Sequence, residues 1–553
     1  MTPHRTLARR TLASALGIAL LGAGIAPVAA GTPNSNNNTS KKLRAAVSAE
    51  GVMGHERALQ KIADEHGDTR VSGTLGYDES AEYAMDVFRA AGFQVTKQDF
   101  QFQTFRELSG TRLERVAPAP AGPVEATIMS YSGSGDVTAP VSLTTDSGSI
   151  ASQGCEAADF AGSTAGAIAL ISRGGCTFAI KATNAATAGA LGVVIYNNGP
   201  GALNGTLGDG FTLDLPVVGV TQAVGQELAA LVPGLQLRVK ASTFRGIATT
   251  SNVFAESPTG DPDNIVMAGA HLDSVSAGPG INDNGSGSAA ILEVAEQMAK
   301  VKPVNKVRFA LWGAEESGLV GSNNYIDDLK ANNAAELERI ALYLNYDMIG
   351  SPNYARFVYD GDNSAFPVGA AAAAGPPGSG AIEDMFHDYF ESVGLTSAET
   401  PFSGRSDYGP FIAAGVNIPS GGLFTGAEGT KTAEQATAFG GVAGAAYDPC
   451  YHQACDSLTP SYGSDAAKVA LFEQLNTAYD MEGNVNLEAL EEMSDAVAHA
   501  VLTYAFDTRS VNDEGRGHPV SPPGQEVDGA PGGQMDDSGG GLHADHDQEL
   551  PAS

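Results

Sequence analysis

Residues 264–316 read NIVMAGAHLDSVSAGPGINDNGSGSAAILEVAEQMAKVKPVNKVRFALWGAEE, and this stretch decides the fold. A short apolar run, 265–270, ends directly in His271-Leu272-Asp273, and a Gly/Pro/Asn-rich loop containing Asp283 follows. From 287 to 300 the apolar residues Ile291, Val294, Ala295 and Met298 fall on helical spacing. A second apolar run, 307–312, ends in Gly313-Ala314-Glu315-Glu316. Strand, loop, helix and strand in so short a space predict a βαβ unit with parallel strands. His271 and the glutamate pair then share one edge of the sheet. A third run, 340–346, brings Asp347 to the same place. In open α/β sheets, ligands bind just outside the carboxyl ends of the strands.

Outward from this unit, the chain has 553 residues with 31 Lys+Arg against 64 Asp+Glu, a formal charge of −33. Such a surface repels phosphate backbones, so nucleic acid is excluded as a partner. Residues 1–30 carry Arg5, Arg9 and Arg10, then an apolar core ending Val28-Ala29-Ala30. That pattern predicts a secretory signal peptide rather than a membrane span. No other stretch approaches the roughly 20 apolar residues a spanning helix needs. The mature chain is therefore expected outside the cell, without a membrane partner and as a monomer. Four cysteines in an exported chain suggest two disulfides, and the local pairings are Cys155 with Cys176 and Cys450 with Cys455.

Residues 31–42 begin as a polar linker, and 43–118 with 246–506 form the main α/β domain, its sheet mixed, mostly parallel and flanked by helices. Residues 119–245 differ: short β-like runs at 139–143, 167–171, 193–196 and 215–220 alternate with Gly-, Ser- and Asn-rich turns, and histidine is absent. The run GAIALISRGGCTF at 166–178, with the Lys181-Ala182 pair and AGALGVVIY at 188–196, resembles the protease-associated (PA) domain. That resemblance implies an inserted β-rich module that governs substrate access or specificity; a generic structural insert is the plainer reading. Residues 507–553 are rich in Gly, Pro, Asp and Ser, and too poor in apolar side chains to offset their ordering entropy. His543, Asp545, His546 and Asp547 lie in this expected tail.

Five residues carry the metal argument: His271, Asp283, Glu316, Asp347 and His452. Singly, each has a bland explanation, such as a turn aspartate or the acidic first turn of a helix. Imidazole and carboxylate without thiolate suit zinc. Two histidines and three carboxylates exceed one tetrahedral zinc with an open position, and fit two ions sharing a bridging carboxylate. The adjacent glutamates 315 and 316 allow one to bind metal while the other takes a proton.

The motifs HLDSV, GINDNGSGSAAILE, WGAEESGLVGS, LNYDMIGSPN, GRSDYGPF, GGLFTG and CYHQACDSL resemble the secreted dizinc aminopeptidases, of the aminopeptidase S and bacterial leucyl aminopeptidase type. The resemblance implies a zinc-peptidase (phosphorylase/hydrolase-like) fold and two Zn2+ per chain. His271 and Asp347 would hold one ion, Glu316 and His452 the other, and Asp283 would bridge them. Glu315 would be the general base, Asp273 would orient the His271 imidazole, and Tyr451 would hydrogen-bond the oxyanion. Arg405 would lie near the substrate's amino end, with Phe424 and Met348 as walls of an apolar pocket. Tyr408 departs from the histidine that relatives usually carry there. The resemblance also allows Ca2+ near Glu491 and Asp495.

The reading is a secreted zinc aminopeptidase that releases an apolar, leucine-like N-terminal residue from peptides and proteins, by a water bridged between two zincs with Glu315 as base. The alternatives are a carboxypeptidase or other dizinc hydrolase on the same scaffold, and a metal-free binding ectodomain with a PA domain.

Overall fold

The structure, a computed structural model, describes residues 36–512 except 145–152, 161–163, 200, 202, 204, 209 and 370. The expected signal peptide, linker residues 31–35 and the tail from 513 onward, with its histidines, lie outside the described residues.

Two amphipathic helices, α1 (Ala49–Glu65) and α2 (Leu75–Ala90), precede the sheet of the main domain. The chain then enters the long strand β1 (Gln94–Ala117) and returns through β2 (Gln236–Glu256), antiparallel to it from Gln94 opposite Glu256 to Ala117 opposite Gln236. Next come β3 (Asp261–His271), α3 (Gly287–Gln297), β4 (Asn305–Trp312), α4 (Val320–Asn332) and β5 (Ile340–Tyr346). The domain closes with β6 (Phe357–Tyr359), α5 (Ser379–Ser392), β7 (Ala398–Thr400), β8 (Ser420–Phe424) and α6 (Leu487–Phe506). The sheet order is β7-β6-β8-β5-β3-β4-β2. The βαβ expectation holds: β4 and β5 both lie parallel to β3, and β8 lies parallel to β5. Antiparallel pairs flank this centre, β2 with β4 and β6 with β8.

The central strands are apolar on both faces because helices cover both. One face packs against α1, α2, α3 and α6 through Leu59, Phe88, Ile291 and Val497. The other buries an aromatic group around Trp312, the sole tryptophan, with Phe254, Tyr325, Tyr343 and Phe411. Gly287 starts α3 hard against β5: a Cβ there would stand 2.2 Å from the Tyr346 carbonyl oxygen. Only glycine permits this approach, which brings the loop before α3 beside Asp347.

Beyond β2 the sheet continues into the insert through Gly135–Leu143, Ile168–Ser172, Gly192–Tyr196 and Val217–Val220. These four strands are mutually parallel, and the helices Phe178–Thr187 and Gln222–Ala230 accompany them. The insert thus has its own βαβ character and its own apolar cores. Both expected disulfides are present, Cys155–Cys176 in the insert and Cys450–Cys455 in the main domain.

Two expected boundaries move. The linker ends earlier, because Asn37 is buried, donates to the Gln297 carbonyl at 2.8 Å, and is followed by a helix at Ser40–Arg44. The fold also runs past 507: a short helix at Arg509–Asn512 buries Val511 and Asn512, and Asn512 Nδ2 donates to Asn264 Oδ1 at 3.0 Å. Among the described residues no helix is long and apolar enough to cross a membrane.

Candidate metal centre

The parallel strands deliver the candidate ligands to one edge. His271 closes β3 opposite Trp312 of β4, whose next turn carries Glu315 and Glu316, and Asp347 follows β5 directly. Asp283 enters from the loop before α3, and His452 from the short loop closed by Cys450–Cys455. The two oxygens of Asp283 divide between two histidines: Oδ1 lies 3.2 Å from His271 Nε2, and Oδ2 lies 3.2 Å from His452 Nε2. Each imidazole then meets a second carboxylate, Asp347 Oδ1 at 3.3 Å from His271 and Glu316 Oε2 at 3.1 Å from His452. The groups His271, Asp283, Glu316 and His271, Glu315, Asp347 each converge closely enough to share a cation.

The donor set fits metal ions. Glu316 Oε1 and Asp347 Oδ1 are buried without any hydrogen-bond donor, a costly state for carboxylate oxygens unless a cation meets them. Burial pushes Glu315 and Glu316 above the usual carboxylate range. Burial would lower both imidazoles, yet Glu315 and Asp347 hold His271 well above its ordinary value, and Glu316 does the same for His452. Without metal, the imidazolium protons of His271 and His452 balance part of the carboxylate charge. Zinc suits imidazole and carboxylate in this combination.

Surrounding residues hold the candidate ligands in place. Asn284, joined to Asp283 by a cis peptide, accepts from Gly287 N and Met348 N at 3.0 and 3.1 Å and donates to Tyr346 O at 2.9 Å. One side chain thus ties the Asp283 loop to the Asp347 turn. His271 Nδ1 lies 3.1 Å from the Asp273 carbonyl, whereas the Asp273 carboxylate is 3.7 Å away and accepts from Glu315 N at 3.2 Å. Asp273 therefore orients the imidazole chiefly through its backbone, and its carboxylate holds the glutamate turn. Glu315 Oε2 lies 3.9 Å from His271 Nε2, farther than Asp283 or Asp347.

Tyr451 stacks on the His452 ring at 3.9 Å, and Arg405 Nη2 donates to its hydroxyl at 3.2 Å. Arg405 also pairs with Glu428 at 2.8 Å. Of the two expected pocket walls, Phe424 is partly exposed, but Met348 is only 2% exposed. Tyr408 is buried between the rings of Tyr359 and Phe402, 4.7 and 4.9 Å away, and its hydroxyl accepts from Gly404 N at 2.9 Å. Near the residues named for calcium, Glu491 accepts from Ala49 N and Asp495 pairs with Arg44 at 3.2 Å.

Three supporting residues were not singled out from the sequence. Ser406 donates to Asp347 Oδ2 at 2.5 Å. Asp456 accepts from Asn282 N and Asp283 N at 2.8 and 2.9 Å. Both lie inside quoted motifs, GRSDYGPF and CYHQACDSL, so their position was a signal. Arg70, fully buried, donates to the carbonyls of Leu272, Pro279 and Gly280 and clamps the loop between His271 and Asp283. It lies some 200 residues upstream, and no local pattern marks it.

A mostly parallel sheet bringing two imidazoles and several carboxylates to one edge, with two buried carboxylate oxygens lacking a donor, fits a metal-dependent hydrolase. Residues 252–474 match peptidase family M28, and residues 137–228 match the PA domain. An aminopeptidase of Pseudomonas aeruginosa is 43% identical over 488 residues, covering 86% of this chain and 84% of that one. The chain belongs to peptidase family M28, as an aminopeptidase-type hydrolase with an inserted PA domain. Leucine aminopeptidase 2 of Arthroderma otae is 38% identical over 505 residues, covering 91% of this chain and 92% of its own. The solved zinc aminopeptidase BSAP of Bacillus subtilis superposes with a TM-score of 0.56 at 25% identity, covering 85% of this chain and 95% of that chain.

Proposed function

We propose that this chain is a two-zinc aminopeptidase that removes an apolar, leucine-like residue from the N-termini of peptides and proteins. The observation that carries the reading is the Asp283 carboxylate, one oxygen facing His271 and the other His452, each backed by its own further carboxylate. His271 and Asp347 would hold one ion, Glu316 and His452 the other, with Asp283 common to both. When bound, zinc would polarise the scissile carbonyl and acidify the attacking water.

Glu315 accepts the water's proton and returns it to the leaving amine. It stands beside the cluster, 3.9 Å from His271 Nε2, within reach of a water held there. Tyr451, held by Arg405 and by its stack on His452, donates its hydroxyl to the developing oxyanion. The acidic edge of the site favours a protonated amino end, and Phe424 gives the first side chain an apolar wall. The name of the Arthroderma relative, leucine aminopeptidase 2, agrees with that preference.

Arg405 is engaged by Glu428, so it does not present a free cation for a substrate's carboxyl end, which disfavours the carboxypeptidase alternative. The convergence of all five ligands disfavours a metal-free ectodomain. Two disulfides and the leader-like N-terminus support an extracellular protein, for which peptide N-termini would be the substrate. The PA insert, continuous with the catalytic sheet, would govern substrate approach. Both carboxylates near Glu491 and Asp495 already have protein donors, so no calcium site is proposed there.

The test compares leucyl-anilide with N-acetyl-leucyl-anilide. Cleavage of the first, with the second hardly touched, is expected. Comparable kcat/KM for both would sink the aminopeptidase reading.

A further inference from the structure

A second concentration of acid lies at the far edge of the same sheet. β6 runs antiparallel to β8, with Phe357 opposite Phe424. Asp360 and Asp362, just past the end of β6, therefore stand at the edge away from Asp347. Glu383 and His387 sit one turn apart on α5, and Glu399 occupies the middle of β7, beside β6. Donor atoms of Glu383, His387 and Glu399 lie within 4.8 Å of one another, and so do those of Asp360, Asp362 and Glu383.

Two features separate this cluster from an ordinary acidic surface. The first is His387: its Nδ1 lies 2.8 Å from Ser397 Oγ, which orients the ring, while its Nε2 is buried with no hydrogen-bond partner. Glu383 Oε1 is 3.8 Å from that nitrogen, too far for a hydrogen bond but suited to a shared ion. The second is charge. Among the described residues no lysine or arginine pairs with any of the four carboxylates, and His387 is the sole candidate cation.

The remaining oxygens show which groups are free. Asp360 accepts from Ser364, Ala365 and Phe366 N–H groups, and Asp362 accepts from Ser364 N. Glu383 Oε2 accepts from Gly361 N and Asp362 N at 2.8 and 3.2 Å, which leaves Oε1 turned to His387. The His387 side chain is 30% exposed and Glu399 is half-buried, so the cluster lies near the surface although Nε2 itself is buried.

We propose that Glu383, His387 and Glu399 form a binding site for a divalent cation of the zinc class, separate from the catalytic cluster. One imidazole with two carboxylates leaves further positions for water and selects zinc-like ions over calcium, which takes oxygen ligands alone. Asp360 and Asp362 lower the local potential without coordinating. A bound ion joins α5 to β7, the last strand of the sheet, and so stabilises the fold rather than the reaction.

The test is zinc content and calorimetric zinc titration of the full chain beside His387→Ala and Glu399→Gln. The parent is expected to hold one zinc per chain more than either variant, and Ser397→Ala to weaken that zinc about 10- to 100-fold, the usual effect of losing a partner that orients a ligand. Glu399→Gln is nearly isosteric on a half-buried strand residue, so it gives the answer if His387→Ala fails to fold. Equal zinc content in parent and Glu399→Gln would overturn the proposal. So would a site that prefers calcium to zinc, or that survives His387→Ala in the folded protein.

Discussion

Glu315→Gln separates proton transfer from metal binding. The substitution preserves volume and leaves the backbone bond from Glu315 N to Asp273 intact. It removes only the basic oxygen, so a general base's contribution of about 100- to 10,000-fold should be lost from kcat. At ~1.4 kcal/mol per tenfold change, the barrier rises by about 3 to 5 kcal/mol. Zinc should stay. Glu315 Oε2 is 3.9 Å from His271 Nε2, whereas Asp283 and Asp347 approach it to 3.2 and 3.3 Å, and Glu316 approaches His452 to 3.1 Å. Glu316→Gln should therefore release zinc as well as lose rate. The assay is kcat on leucyl-anilide together with zinc content for both variants. Full zinc content in Glu316→Gln with loss in Glu315→Gln would show that the two glutamates have exchanged roles.

Arg70→Met should cost about 3–5 kcal/mol in urea unfolding, since three carbonyls lose their donor and the buried carboxylates of Glu56 and Asp273 lose a counter-charge; a loss under about 1 kcal/mol would refute the clamp. Burial lowers His55 from its ordinary 6.5 to about 4, so the unfolded chain takes up a proton in that window that the folded imidazole refuses. The stability this group contributes is present above pH ~6.5 and falls by about 3 kcal/mol as pH drops through ~4. His55→Gln should flatten stability against pH there, by up to ~1.4 kcal/mol per pH unit. Glu293 beside it, pushed up to about 7, acts in the opposite sense, so the readout is the difference between variant and parent. An unchanged slope would refute the buried-neutral account.

The strands that carry the site were legible because burial on both faces demands unbroken apolar runs: 340–346 coincides with β5. The candidate ligands were legible because each follows such a run or sits in a short loop. β1 was not, beyond about residue 105. Past Phe105 it continues through Arg106, Glu107 and Arg112 as a ribbon against β2 with both faces largely open, so no alternation of apolar residues marks it. The short helix through Asn512 was hidden for a related reason. Its contact with Asn264 and Thr508 is a buried polar network, and composition reads such residues as solvated. Local sequence shows what a segment can bury, but not the distant partner that holds it, as Arg70 illustrates.

The central claim is that Asp283 is shared by two ions. Anomalous scattering at the zinc absorption edge, from crystals grown with zinc, tests it most directly. The account predicts two peaks flanking the Asp283 carboxylate, one against His271 and Asp347 and the other against His452 and Glu316. A single peak there, or none, would contradict it.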